Sequence, residues 1–227
     1  VSVGPLIKQV NGHEIVFLCN PNNPTGQMLR KRDLKSLLKD LHREKVKLIL
    51  DESFIDWCEE ESMVREAVRS EDLVVIRSMT KFFGLAGLRL GYLIGSKDNA
   101  RRIRDCSQPW SVNVVAQTVG IGLLRDAELA VKSRERLIVE RDYLYRQLCQ
   151  FRSLNVYPAQ ANFIFVKIKT GPSSTGLQST LIKRGILIRD CANFYGLDGS
   201  YFRVAVRNRK DNVQLIRALK KVLDKET

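Results

Sequence analysis

Residues 15–26 read Ile-Val-Phe-Leu-Cys-Asn-Pro-Asn-Asn-Pro-Thr-Gly, an apolar run that stops abruptly at a cluster of Asn, Pro and Gly. A short run without polar alternation is the pattern of a strand buried on both faces of a sheet, and the cluster after it is turn chemistry. Working outward, the same kind of run recurs at residues 47–50, 73–76 and 90–94. Between the first two runs Leu34, Leu37, Leu38 and Leu41 fall at i, i+3, i+4 and i+7, with charged residues on the other side, which predicts an amphipathic helix. Strand and helix alternating at this spacing predict an α/β domain with a mostly parallel sheet.

Two further helices are expected at residues 112–124 and 127–151, the second with Leu137, Leu144 and Leu148 along one face. The pattern then changes to short apolar runs, NVYP, NFIFVKI, GILIR and YFRVAV, broken by a Gly/Pro/Ser loop at 171–176 and a helix ending at Arg184. A last helix follows, with Asp211 as its expected N-cap and Ile216, Leu219 and Leu223 facing inward. The expected division is a sheet domain over 1–124 and, over 125–227, the long connecting helix with a small α+β domain.

Composition narrows the function classes. The 227 residues are 44% hydrophobic, enough to bury a sizeable core and too apolar for a disordered chain. The longest uncharged stretch, 106–124, carries Pro109, Trp110, Asn113 and Gln117, so no membrane span is expected. Net charge is +13, but the excess is spread over helical stretches rather than gathered in a basic run interleaved with aromatics, which argues against a nucleic-acid partner. Five unclustered Cys and only two His indicate neither a disulfide framework nor a metal site, and a cytoplasmic location is expected. The chain begins at Val1 rather than Met, with no export signal in its first residues, so a preceding segment is expected.

Unusual polar groups follow the predicted strands directly. They are Asn20-Pro21-Asn22-Asn23-Pro24-Thr25-Gly26, then Asp51-Glu52-Ser53-Phe54, then Arg77-Ser78-Met79-Thr80-Lys81 with Gly84, Gly87 and Arg89 behind it. Ligands bind at the carboxyl ends of strands in an open parallel sheet, because the loops there converge on one crevice. Taken singly, each group also fits a turn, a helix cap or a solvated Lys; their order and spacing are what single them out.

That combination resembles the fold-type I pyridoxal-phosphate enzymes of the aspartate aminotransferase superfamily. Residues 108–113 (QPWSVN), 157–162 (YPAQAN), 186–194 (ILIRDCANF), 196–198 (GLD) and 201–207 (YFRVAVR) sharpen it toward the threonine-phosphate decarboxylases of cobalamin biosynthesis, over nearly the whole chain. Histidinol-phosphate aminotransferases share the layout, but usually carry Tyr where Phe54 stands and lack the second Arg of RVAVR.

The resemblance implies pyridoxal 5′-phosphate as cofactor and a role for each matching residue. Lys81 would hold the cofactor through its aldehyde, Asp51 would keep the pyridine nitrogen protonated, and Asn23 would bond the ring oxygen. Ser78 and Arg89 would bind the cofactor phosphate. Phe54, at the same wall, has no hydroxyl to offer the ring. Arg203 matches the carboxylate-binding Arg of the superfamily, with Arg189 and Arg207 as further cations for a substrate phosphate. Catalysis is thus expected from Lys81 and Asp51, on a small phosphorylated amino acid, in a homodimer. The rival readings are a histidinol-phosphate-type aminotransferase and a non-catalytic basic fragment that binds a partner or nucleic acid. In the superfamily the N-terminal arm, a phosphate-binding glycine loop and a ring-stacking aromatic precede the NPTG segment. The 227 residues alone are therefore expected to hold cofactor weakly or not at all.

Overall fold

The β-branched and Leu-rich runs form strands because their side chains fill a pleated surface, and the Leu-spaced segments form helices that cover it. The computed structural model describes residues 4–10 and 12–223. Its contacts divide into two units, one reaching to Asn22 and resuming over residues 27–132, the other made of residues 23–26 with the chain from Ser133 onward.

The first unit contains α1 (Gly4–Ile7), β1 (Ile15–Cys19), α2 (Lys31–Arg43), β2 (Lys47–Asp51), a 3-10 segment (Ile55–Glu61) and α3 (Val64–Ala67). It continues through β3 (Leu73–Ser78), β4 (Gly91–Ile94), α4 (Lys97–Asp105), α5 (Val114–Arg125) and the start of α6 (Ala127–Leu148). The sheet order is β1-β2-β3-β4. The first three strands are parallel, with Leu48 of β2 opposite Val16 and Leu73, and β4 runs antiparallel to β3. Leu34, Leu37 and Leu41 of α2 join Ala67 of α3 and Met63 over Val16, Leu48, Leu50, Leu73 and Val75 to make the core.

One expectation is corrected here. The strands are not buried on both faces: Ile15, Phe17 and Ile76 point away from this core and stay 45%, 74% and 36% exposed. The reason is that α2 and α3, the helices between these strands, both pack on the same face.

The second unit holds the rest of α6, then β5 (Leu154–Tyr157), β6 (Phe163–Ile168), α7 (Ser174–Ile182), β7 (Arg189–Asp190), β8 (Tyr201–Ala205) and α8 (Arg209–Leu223). Its antiparallel sheet runs β5-β6-β8-β7. Leu144 and Leu148 of α6, Leu177 and Leu181 of α7, and Ile216 and Leu219 of α8 are buried with Ile164, Val166, Phe202 and Val204 of the sheet. Of the GILIR run only Arg189 pairs in a strand, together with Asp190, which follows it. The cap of α8 is also corrected: Asn208 Oδ1 accepts from Asp211 N at 3.0 Å, so Asn208 is the cap and Asp211 lies in the first turn. Among the described residues no helix is long and apolar enough to cross a membrane, none of the five Cys is in a disulfide, and no cluster of metal-ligating side chains occurs.

Candidate functional site

In the first unit the strand alternation sorts the residues at the carboxyl ends of β1, β2 and β3. Register places Cys19, Asp51 and Ile76 on one face, and Ser78, two residues beyond Ile76, shares it. Asn20, Glu52 and Arg77 continue the opposite, core face and are 1%, 0% and 3% exposed.

On the first of these faces, half-buried Asp51 accepts two bonds at one oxygen, from Ser53 N at 2.9 Å and Ser53 Oγ at 2.5 Å. Ser53 thereby holds Oδ1 and fixes the direction of the carboxylate. Phe54 is buried. Beyond β3 the Ser78 and Thr80 hydroxyls share a hydrogen bond of 2.7 Å, and the Lys81 side chain is exposed. A tight turn follows, in which Gly84 N donates to Lys81 O at 3.2 Å and Gly84 takes φ +68. Arg89 adopts left-handed φ 53 and ψ 49, which strains a non-glycine residue, and its Nη1 reaches Ala86 O at 2.9 Å. Asp51, Phe54, Ser78, Lys81 and Arg89 thus all belong to the first unit, on the segments that leave β2 and β3.

The core face holds a cluster that sequence reasoning missed. Arg77 Nε donates to Glu52 Oε2 at 2.9 Å, Nη1 to Asp56 at 3.2 Å and Glu59 at 3.0 Å, and Nη2 to Glu59 at 2.9 Å and Ser62 Oγ at 2.8 Å. Glu52 also accepts from Met63 N at 2.7 Å and Ser62 Oγ at 2.8 Å. Burial pushes the Glu52 carboxyl above the ordinary carboxylate range, with Arg77 pulling against it. Burial works to lower the Arg77 pKa, but the Glu59 bonds and the surrounding carboxylates outweigh it, so the guanidinium stays charged. The one signal available beforehand was charge at i+2 after Leu50 and after Val75, where period 2 calls for an apolar residue.

The second unit carries Asn23, Arg189, Arg203 and Arg207. Arg203 Nη1 donates to Asn23 Oδ1, and its guanidinium lies 4.4 Å from the Phe163 ring centroid. Because a guanidinium only donates, this contact assigns Oδ1 and leaves the Asn23 amide N–H groups for another acceptor. Arg189 stands directly opposite Arg203 across the β7–β8 pair and bonds Asn193 Oδ1 at 2.9 Å. Burial pushes Arg203 below its ordinary pKa, and the positive charge of Arg189 adds to this. Two facing cations of this kind favour an anion between them. Arg207 is not part of that pair: its Nε is bound to Asp211 Oδ2 of α8 at 2.7 Å.

The donor chemistry fits pyridoxal phosphate. An exposed amine suits its aldehyde, an oriented carboxylate suits its pyridine nitrogen, and hydroxyls with a guanidinium suit its phosphate; the first unit carries all of these on the segments that leave β2 and β3.

Comparison with known proteins agrees. The family model for aminotransferase class I and II matches residues 4–220. The threonine-phosphate decarboxylase of Salmonella typhimurium is 39% identical over 212 residues, covering 92% of this chain and 58% of its own length. The histidinol-phosphate aminotransferase of Methanococcus aeolicus is 35% identical over 212 residues, covering 93% and 56%. The chain therefore spans a little over half the length of these relatives. Among solved structures, the histidinol-phosphate aminotransferase of Clostridium acetobutylicum superposes with a TM-score of 0.91 at 33% identity, covering 97% of this chain and 67% of that one. With strand order, strand-end residues and family match in accord, the chain belongs to the class I and II aminotransferases, pyridoxal-phosphate enzymes of fold type I.

Proposed function

We propose that the chain serves the decarboxylation of L-threonine O-3-phosphate to (R)-1-aminopropan-2-yl phosphate, a step of cobalamin biosynthesis, in the cytoplasm and as a homodimer. The observation that carries this reading is the facing pair Arg189 and Arg203, two cations for a substrate that bears both a carboxylate and a phosphate. Identity to decarboxylases and to aminotransferases is similar, so the anion-binding pair weighs more than the relatives do.

Bound pyridoxal phosphate supplies an electron-withdrawing ring that accepts the electron pair of a breaking bond at the substrate Cα. Ser78 and Arg89 would anchor its phosphate, Asp51 would keep the proton on its ring nitrogen, and the Asn23 amide would donate to its ring oxygen. Arg203 and Arg189 would fix the two acidic groups of the substrate, and their grip would decide which substituent of Cα is lost. Loss of the carboxylate would release carbon dioxide, with Lys81 delivering a proton to Cα; loss of the Cα hydrogen, taken up by Lys81, would instead lead to amino-group transfer.

The test is incubation of the full-length protein that carries these residues with pyridoxal phosphate and L-threonine O-3-phosphate, with carbon dioxide and amino-group transfer both measured. Carbon dioxide release without any added keto acid is expected, and Lys81→Ala should abolish it together with borohydride-stable labelling of the chain. Turnover that requires a keto acid and releases no carbon dioxide favours the histidinol-phosphate-type aminotransferase.

A further inference from the structure

We propose that Glu52 and Arg77 are positioning residues that fix where Asp51 and residues 78–81 stand, an assignment whose catalytic meaning rests on the cofactor reading above. Each is the chain neighbour of a site residue, Glu52 of Asp51 and Arg77 of Ser78, but each points to the opposite face of the sheet. On that face the preceding rows, Leu48 with Leu73 and Leu50 with Val75, are apolar and fully buried. At the last row the chain replaces them with a carboxylate and a guanidinium that are 0% and 3% exposed. Apolar side chains of similar volume would serve stability at least as well, since burying charge is costly even when it is paired.

What the charged pair adds is direction. Arg77 offers N–H groups in a rigid planar fork, and its five donor contacts end on Glu52, Asp56, Glu59 twice and Ser62. Glu52 in turn takes Met63 N and Ser62 Oγ, so the segment leaving β2 is tied to the end of β3 at both of its ends. The main chain joins in: Glu52 N donates to Ile76 O at 2.9 Å, carrying the ladder one residue past Asp51. With Glu52 and Arg77 immobile, the backbone on either side of the Asp51 carboxylate and before the Ser78 hydroxyl cannot swing. Catalytic groups need placement to within about 0.5 Å, and holding their neighbours from the far face achieves it without crowding the ligand.

Hydrogen exchange on the whole chain tests this without any cofactor. The reporters are the amides of Glu52, Ser53, Met79 and Thr80, which donate to Ile76 O, Asp51 Oδ1, Leu90 O and Ser78 Oγ. In Glu52→Gln and Arg77→Lys, which keep size and polarity, exchange at these amides should rise on the order of tenfold while α2 is unchanged. Arg77→Met should raise it further. In the full-length protein with cofactor supplied, the same variants should weaken pyridoxal phosphate uptake on the order of tenfold, and Arg77→Lys should retain more than Arg77→Met. Unchanged exchange at the four amides, or an equal rise in α2, overturns the proposal and leaves a merely stabilising ion cluster. Failure of the cofactor reading shows separately, as a full-length protein without substitutions that leaves the pyridoxal phosphate spectrum unaltered and gains no label at Lys81 on borohydride reduction.

Discussion

Arg189, Arg203 and Arg207 look alike as a basic set in the sequence and part company in the structure. Arg203 sits over Phe163 with Arg189 opposite it, whereas the charge of Arg207 is met by Asp211. A charge-assisted bond to an anion contributes about 1.5 to 3 kcal/mol. Arg203→Ala or Arg189→Ala should therefore raise the KM for L-threonine O-3-phosphate roughly ten- to a hundredfold, while Arg207→Ala should change it less than about threefold. Steady-state kinetics on the three variants checks the ranking, and an Arg207 effect as large as the others would place it in the anion set. Asp51, Ser78 and Lys81 were legible as candidates because each follows an apolar run closely, and Arg89 because of the family pattern that the motifs resemble. Glu52 and Arg77 were not, because the face a strand residue occupies is defined only when register and packing are known.

Among the elements, α2 shows a cap that no local pattern announces. Its N-terminal neighbour Arg30 makes no side-chain cap; instead Glu61 reaches in from the 3-10 segment, Oε2 accepting from Lys31 N at 2.6 Å and Oε1 pairing with Arg30 at 2.8 Å. The bond from Lys31 N leads in holding the Glu61 carboxyl below the ordinary carboxylate range, with burial opposing and Arg30 assisting. A carboxylate lowered on folding stabilises above its ordinary pKa and loses that contribution as pH falls through the lowered value. Glu61→Gln should cost about 1 kcal/mol at neutral pH and nothing at acid pH, so urea titrations of the two proteins should converge as pH falls through the acidic range. At α8 the cap is local but was misassigned, since Asn208 and Asp211 are both good capping residues three positions apart. Asn208→Ala should lower stability by about 1 kcal/mol in the same titrations, because it strips the acceptor from Asp211 N.

At the scale of the whole molecule, the +13 charge is the feature most open to misreading. Part of the basic surface is answered locally: Lys31 and Lys35 by Glu66, Arg30 by Glu61, Lys132 by Glu128 and Arg209 by Glu140. An unrelated DNA duplex at near-physiological salt should accordingly show no binding tighter than about the micromolar range in fluorescence anisotropy. Tight binding that falls steeply with salt would favour the non-catalytic basic fragment over the enzyme reading.

By itself the sequence determined the main alternation of strands and helices and the mostly parallel sheet, while the proposed cofactor set rests on the resemblance of its motifs to a family. The first two properties are local, written in the period of apolar residues and in which polar residues interrupt it. Only the tertiary structure decided which face of the first sheet is covered, that Glu61 caps a helix thirty residues away in sequence, and that Arg203 stands opposite Arg189. It also decided that Glu52 and Arg77 are buried on the face of the sheet opposite to Asp51 and Ser78. These depend on which distant segments pack together, and a one-residue shift in register would turn sheet residues such as Arg77, Arg189 and Arg203 to the other face.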